Sequence, residues 1–94
     1  MLCFVGIIPL YCANTIVLFD SGASHSFVSA SFAKLHKLEL MKDSKAWCIS
    51  IPTGLDQVAT LVCRRCSITL GHLVLPADLI MIDMKEFDII LGMD

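Results

Sequence analysis

The sequence predicts an all-β domain, a small sandwich or barrel, from three observations. Short apolar runs rich in β-branched residues recur along it, among them Val17-Leu18-Phe19, Leu79-Ile80-Met81-Ile82 and Ile89-Ile90-Leu91. Turn-forming residues punctuate those runs at Ser21-Gly22, Pro52-Thr53-Gly54 and Gly71-His72. Helical spacing occurs only near residues 31–38, where Phe32, Leu35 and Leu38 recur. Many short strands with frequent turns are the signature of a closed or layered β fold. No repeat, low-complexity tract or linker divides the chain, so its 94 residues form one domain over 1–94.

The elements follow in order. The first nineteen residues carry no charged side chain, which touches the length of a membrane helix. Pro9 would break such a helix, and Asn14-Thr15 looks like a turn. No Lys or Arg precedes the run as in a signal peptide. Val5, Ile7, Ile8, Ile16 and Val17 suit strands instead, predicting strands over 3–8 and 15–19 with a turn around 10–14. After the Ser21-Gly22 turn, a short helix begins near Ser29 or Ser31, either of which can cap it. Leu38 to Met41 lead into a charged turn, Lys42-Asp43-Ser44-Lys45. Strands are predicted over 47–51, 58–63, 67–70, 73–75, 79–82 and 88–92, with Pro52-Thr53-Gly54 as a turn and residues 84–87 as a short connection.

Composition narrows the function classes. The chain is 56% apolar and 17% charged, more apolar than an average soluble domain, so the surplus must be covered by an oligomer interface, a neighbouring segment or a membrane. A net charge of −2 offers no basic footprint for nucleic acid. The five cysteines, Cys3, Cys12, Cys48, Cys63 and Cys66, are odd in number and irregularly spaced, which favours a reducing compartment over a disulfide framework. Cys63 and Cys66 form a C-x2-C pair. A zinc site needs a second ligand pair, and a redox pair is expected beside a βαβ unit, which is missing. The spacing therefore favours two small apolar residues on a strand or turn.

One run carries the chemistry: Val17-Leu18-Phe19-Asp20-Ser21-Gly22-Ala23. An apolar strand delivers a carboxylate into a tight turn, and an acid buried there is costly unless something pairs with it. Gly22 lets the backbone turn and approach a partner, and the Ser21 hydroxyl can brace the turn. A lone carboxylate cannot be acid and base together. Two close ones can, because they do not both ionise, and their titration then belongs to the pair. The chain holds a single Asp-Ser-Gly run, so the second carboxylate must come from another chain. His25 and His36 lack a Cys or Asp constellation and suit the surface. Asp83, Asp88 and Asp94 suit turns or solvated positions, Trp47 a core or rim position, and the methionines packing.

Beyond the motif, residues 18–29, the run Phe32-Ala33-Lys34-Leu35, the turn Pro52-Thr53-Gly54, and the segments 76–80 and 87–94 together resemble the retropepsin-like aspartic proteases. More narrowly, they are similar to the protease segment of plant gypsy-class retrotransposon polyproteins. The resemblance spans residues 15–94, and residues 1–14 match the family's leading strands poorly. It implies a retropepsin-like half-barrel with one short helix, acting as an aspartic endopeptidase on a Gag-Pol-type polyprotein. It further implies a homodimer with Asp20 of each chain as the catalytic carboxylate and Ser21, Gly22 and Ala23 as the active-site turn. Pro52, Thr53 and Gly54 would lie in a flap closing over an extended peptide, and Ile90, Leu91 and Gly92 would support the site. No cofactor or metal is implied, nor any membrane or nucleic-acid partner. The location would be cytoplasmic or within retrotransposon particles, not secreted. Family members continue past the position of Asp94, so the expectation is a C-terminally truncated domain. Two other functions compete: an inactive retropepsin-like fragment serving as a dimerisation or peptide-binding module, and a membrane-inserted or secreted small protein.

Overall fold

The computed structural model describes residues 3–10, 13–50, 56–70 and 73–92. In chain order the described elements are β1 (Cys3–Leu10), β2 (Ala13–Asp20), β3 (Ser26–Ser29), α1 (Ala30–Leu35), β4 (Met41–Ile49), β5 (Gln57–Leu70), β6 (Leu73–Ile82) and β7 (Ile89–Gly92). The strands form one sheet in the order β1-β2-β7-β3-β6-β5-β4. The last strand is therefore inserted near the middle, parallel to β2 and antiparallel to β3. Such an insertion ties the C-terminal segment to the turn that follows β2.

The apolar first segment is an antiparallel hairpin, with Cys3 opposite Asp20 and Leu10 opposite Ala13. No helix among the described residues is long and apolar enough to cross a membrane. Thr15 lies in β2 as its strand assignment predicts, whereas Asn14, expected in the turn, is also inside β2, opposite Pro9. Pro9 is tolerated because β1 is an edge strand.

Neighbouring residues on the central strands alternate between two apolar clusters. Val17, Leu79 and Ile89 enter one, together with Phe32 and Ala33 of α1. Leu18, Ile80 and Ile90 enter the other, with Ile49 of β4 and Met84. A sheet covered on both faces needs continuous apolar runs rather than alternating ones, which is the pattern in β2, β6 and β7. Each fully buried side chain of this size contributes about 1.5–3 kcal/mol. Leu18 of β2 and Ile49 of β4 share a cluster although their strands lie far apart in the sheet. With β1 also touching β5, the sheet curls into a half-barrel.

The helix starts at Ser29, one of the two serines able to cap it. The Ser29 hydroxyl accepts a hydrogen bond from the Phe32 amide at 3.0 Å. It ends sooner than the apolar spacing predicts: Phe32 and Ala33 are buried, but Leu35 is 75% exposed. The chain leaves the helix through His36 and then Lys37, whose φ of 53° turns it away before a second apolar turn forms.

Three other expectations change. Residues 42–45 are not a free turn but part of β4, where the pairing with β5 shifts register between Lys42 and Trp47. The two strands expected over 58–63 and 67–70 are one strand, β5, interrupted by a register shift between Cys63 and Cys66. Likewise, 73–75 and 79–82 belong to one strand, β6, which runs through Pro76 and Ala77. In β4 and β5 a register shift lets the ladder resume after the irregularity, and in β6 Pro76 and Ala77 stay paired with Ser67 and Cys66; local turn signals cannot distinguish either from a chain reversal. Cys63 and Cys66 are buried core residues that are not joined in a disulfide. The turn expected at Pro52-Thr53-Gly54 lies outside the described residues, as do Gly71-His72 and Asp94.

Candidate active site

Asp20 is the last residue of β2 and is 6% exposed. The chain turns immediately after it. The Ala23 amide donates to the Asp20 carbonyl at 3.2 Å, closing the turn, and the Gly22 amide donates to Asp20 Oδ1 at 2.9 Å. The second bond fixes the carboxylate against its own turn and offsets part of the cost of burying it. Ser21 and Gly22 are exposed at the tip, and Ala23 is half-buried.

Strand β7 runs alongside. Ile90, Leu91 and Gly92 lie opposite Leu18, Phe19 and Asp20 in the parallel ladder. Ile90 is buried, while Leu91 packs half-buried against the helix-side core. Gly92 sits under the loop that leaves the Asp20 turn. A Cβ there would lie 2.5 Å from the His25 carbonyl oxygen and 2.7 Å from that of Ala23, so only glycine fits without moving backbone. The Gly92 amide also donates to Ser26 Oγ at 3.1 Å. The turn is thus held from below by a glycine and from the side by a serine hydroxyl.

Asp20, Gly22 and Ala23 line an open groove of about 610 Å³, whose far wall is Trp47, Cys48, Ile49 and Ser50 of the β4 arm. Asp20 is the single acidic side chain among the described lining residues. His25 and Trp47 form a partition. Their rings meet edge to face at 4.6 Å, and both also line a second groove of about 510 Å³ that holds Asp43, Lys45, Arg64 and Asp78. In that groove Trp47 Nε1 donates to Asp43 Oδ2 at 2.7 Å. This bond, helped by the Ser44 amide and the Arg64 guanidinium, holds the Asp43 carboxyl below its ordinary range despite some desolvation. Arg64 spans Asp43 at 3.4 Å and Asp78 at 3.5 Å.

The predicted residues Asp20, Ser21, Gly22, Ala23, Ile90, Leu91 and Gly92 therefore converge on one place. Pro52, Thr53 and Gly54 lie outside the described residues. The sequence did not single out His25 and Trp47 as groove walls. A usable signal was the spacing of Trp47 and Ile49, two apart on one strand and both packed against the same core cluster. Asp88 was also missed. Its Oδ2 accepts from the Ile16 amide at 2.9 Å, while its amide donates to the Ile16 carbonyl at 2.9 Å and its carbonyl accepts from Ser29 at 2.8 Å. Asp88 so ties β2, β7 and β3 together just before the ladder that carries the site.

Residues 3–94 match the family described as retroviral aspartyl protease. The chain belongs to this family. The fold of this retroviral aspartyl protease domain agrees with a solved relative. The crystal structure of the retroviral protease-like domain of Ddi1 from Leishmania major aligns with a TM-score of 0.62 at 17% identity, over 98% of this chain and 69% of that one. At that identity the likeness is one of fold, a retropepsin-like all-β domain with one short helix. No curated protein matches the chain.

Proposed function

We propose that two copies of this retroviral aspartyl protease domain build one endopeptidase site, each supplying Asp20. The observation that carries this reading is the buried Asp20 carboxylate, held by the Gly22 amide at 2.9 Å and opening onto a groove with no second acid among its described lining residues. A single carboxylate cannot both activate water and donate a proton to a carbonyl. Two Asp20 side chains across a dimer axis share one proton. The ionised one acts as general base on a bound water, and the protonated one polarises the scissile carbonyl.

In this reading Ser21, Gly22 and Ala23 keep the two turns in register. Ile90, Leu91 and Gly92 buttress them from β7. The flap role of Pro52, Thr53 and Gly54, which lie outside the described residues, rests on the family resemblance, and a peptide bound extended in the groove adds strand-type hydrogen bonds. The substrate is a Gag-Pol-type polyprotein of a plant gypsy-class retrotransposon, supported by the resemblance of residues 18–29 and 87–94, with the enzyme in the cytoplasm or in retrotransposon particles. A genomic flank encoding a reverse transcriptase downstream of this domain supports that context, and a flank without one removes it.

The deciding experiment is peptide cleavage measured against chain concentration and pH. Activity is expected to rise with the square of concentration when chains are dilute, and to be greatest at mildly acidic pH. Asp20→Asn should lower it by about 10²–10⁴-fold or more. Cleavage that survives Asp20→Asn would falsify the mechanism, and strict linearity in concentration removes the shared site. A dimer that binds peptide without cutting it selects the inactive peptide-binding module instead.

A further inference from the structure

The C-x2-C pair is not used by the mechanism above, yet the fold treats it unusually. Residues three apart on a regular strand face opposite sides of a sheet. Cys63 and Cys66 nevertheless enter the same core cluster. The cause is the bulge in β5. Pairing with β6 passes from Cys63–Leu79 to Cys66–Ala77, so three steps on β5 answer two on β6. Arg65 takes up the extra residue with φ of 52°, and its amide, turned out of the ladder, donates to Asp78 Oδ1 at 2.8 Å. Arg64 reaches the other oxygen of the same carboxylate. The bulge is pinned by Asp78 with both cysteines in one core cluster, and the Cys66 thiol lies near enough to Cys63 to act on its ionisation.

We propose that Cys63 and Cys66 are a redox-sensitive pair that a hydroperoxide converts to an intramolecular disulfide across the β5 bulge. One thiol, as its thiolate, attacks the peroxide oxygen. With hydrogen peroxide this breaks the O–O bond, leaves a sulfenic acid on that cysteine and releases water after proton uptake. The second sulfur, losing its proton, displaces hydroxide from the sulfenic sulfur and forms the S–S bond, giving a second water. The protein loses two hydrogens and two electrons, and the peroxide is reduced to two waters. In a reducing compartment the bond is transient and is reversed by dithiol reductants. The oxidised pair turns the bulge into a closed ring and fixes the stretch from which Arg64 reaches β4 and β6. Burial and the neighbouring Cys66 thiol push the Cys63 thiol up to about 11, so cross-linking should be slow at neutral pH and accelerate as pH rises.

Trypsin offers a direct readout because Arg64 and Arg65 lie between the two cysteines. The folded full chain carrying Cys48→Ser is exposed to hydrogen peroxide, alkylated, digested and weighed. The expected result is a monomeric chain lighter by two hydrogens, with peptides 46–64 and 66–85 linked and separated again by dithiothreitol. Cys63→Ala and Cys66→Ala each abolish the linked species, and where either fails to fold, the linked peptides of the parent chain decide alone. Three results overturn the proposal: both thiols recovered free after peroxide has oxidised Cys48 in the unsubstituted chain, either cysteine carried to the sulfinic acid without a cross-link, or linkage only between chains.

Discussion

The sheet around Asp20 and the arm formed by β4, β5 and the adjoining part of β6 are built on opposite principles. Around Asp20 the ladders are unbroken, β2 with β7 and β3 with β6, and the turn is fixed by main-chain donors, a glycine contact and one serine hydroxyl. In the arm both ladders slip register, and side chains do the fastening: Asp43 to Trp47, and Arg64 to Asp43 and Asp78. Main-chain geometry leaves a buried carboxylate little freedom to shift. Partly exposed ion pairs are weak and screened, so the arm's side-chain fastening should add less to stability than the main-chain fastening of the rigid half around Asp20.

That contrast predicts a gradient of mutational effects. Gly92→Ala should be the most damaging conservative change. Its new methyl meets two backbone carbonyl oxygens, and relieving such overpacking typically costs about 1–3 kcal/mol. For a chain of this size each kcal/mol lowers the melting temperature by about 4–8 °C. Calorimetry that finds Gly92→Ala as stable as the parent contradicts the rigid half. Ser29→Ala should follow, at about 1 kcal/mol for loss of the helix cap, read from urea unfolding. Asp88→Ala should cost about 0.5–1.5 kcal/mol for the bond to the Ile16 amide, and faster amide exchange at Ile16 would locate the loss.

In the arm the effects should be smaller. Arg64→Ala, which removes two ion pairs of a half-exposed guanidinium, should change unfolding by less than about 1 kcal/mol and less still in high salt. An effect as large as that of Gly92→Ala would erase the distinction between the halves. The pH dependence of Asp43 sharpens it further. Its folded-state pKa lies below the ordinary value, chiefly through the Trp47 indole. The stabilisation is therefore present above the unfolded pKa and is lost as pH falls through the lower folded one. Trp47→Phe removes the donor, and a carboxyl-resolved NMR titration should find Asp43 moved back upward. An unchanged midpoint would mean that Ser44 and Arg64 hold the carboxylate without Trp47.

Local chemistry carried a large part of this structure. The apolar runs 17–19, 79–82 and 89–91 fall in strands because they are too apolar to face water on either side, and both faces are covered. Ser29 caps the helix through an atom three residues from the amide it binds. What local signals misjudged were interruptions. Lys42 to Lys45, Cys63 to Cys66 and Pro76-Ala77 look like chain ends, but neighbouring strands carry the ladder past them. The apolar spacing of Phe32, Leu35 and Leu38 also overran its helix, since Lys37 in the left-handed region redirects the chain.

By itself, the sequence determined that this is a β-rich domain with one short capped helix, and that a lone Asp-Ser-Gly-Ala turn follows an apolar strand. Those properties reside in neighbouring residues, whose dihedral preferences and solvation act over a few bonds. Only the tertiary structure decided that β7 lies between β2 and β3, so that Gly92 comes under the Asp20 turn, and that a bulge sets Cys63 beside Cys66. Strand order and register depend on contacts between segments some seventy residues apart, such as Asp20 and Gly92. The free energy of those contacts belongs to the pair of surfaces, and neither segment carries it alone.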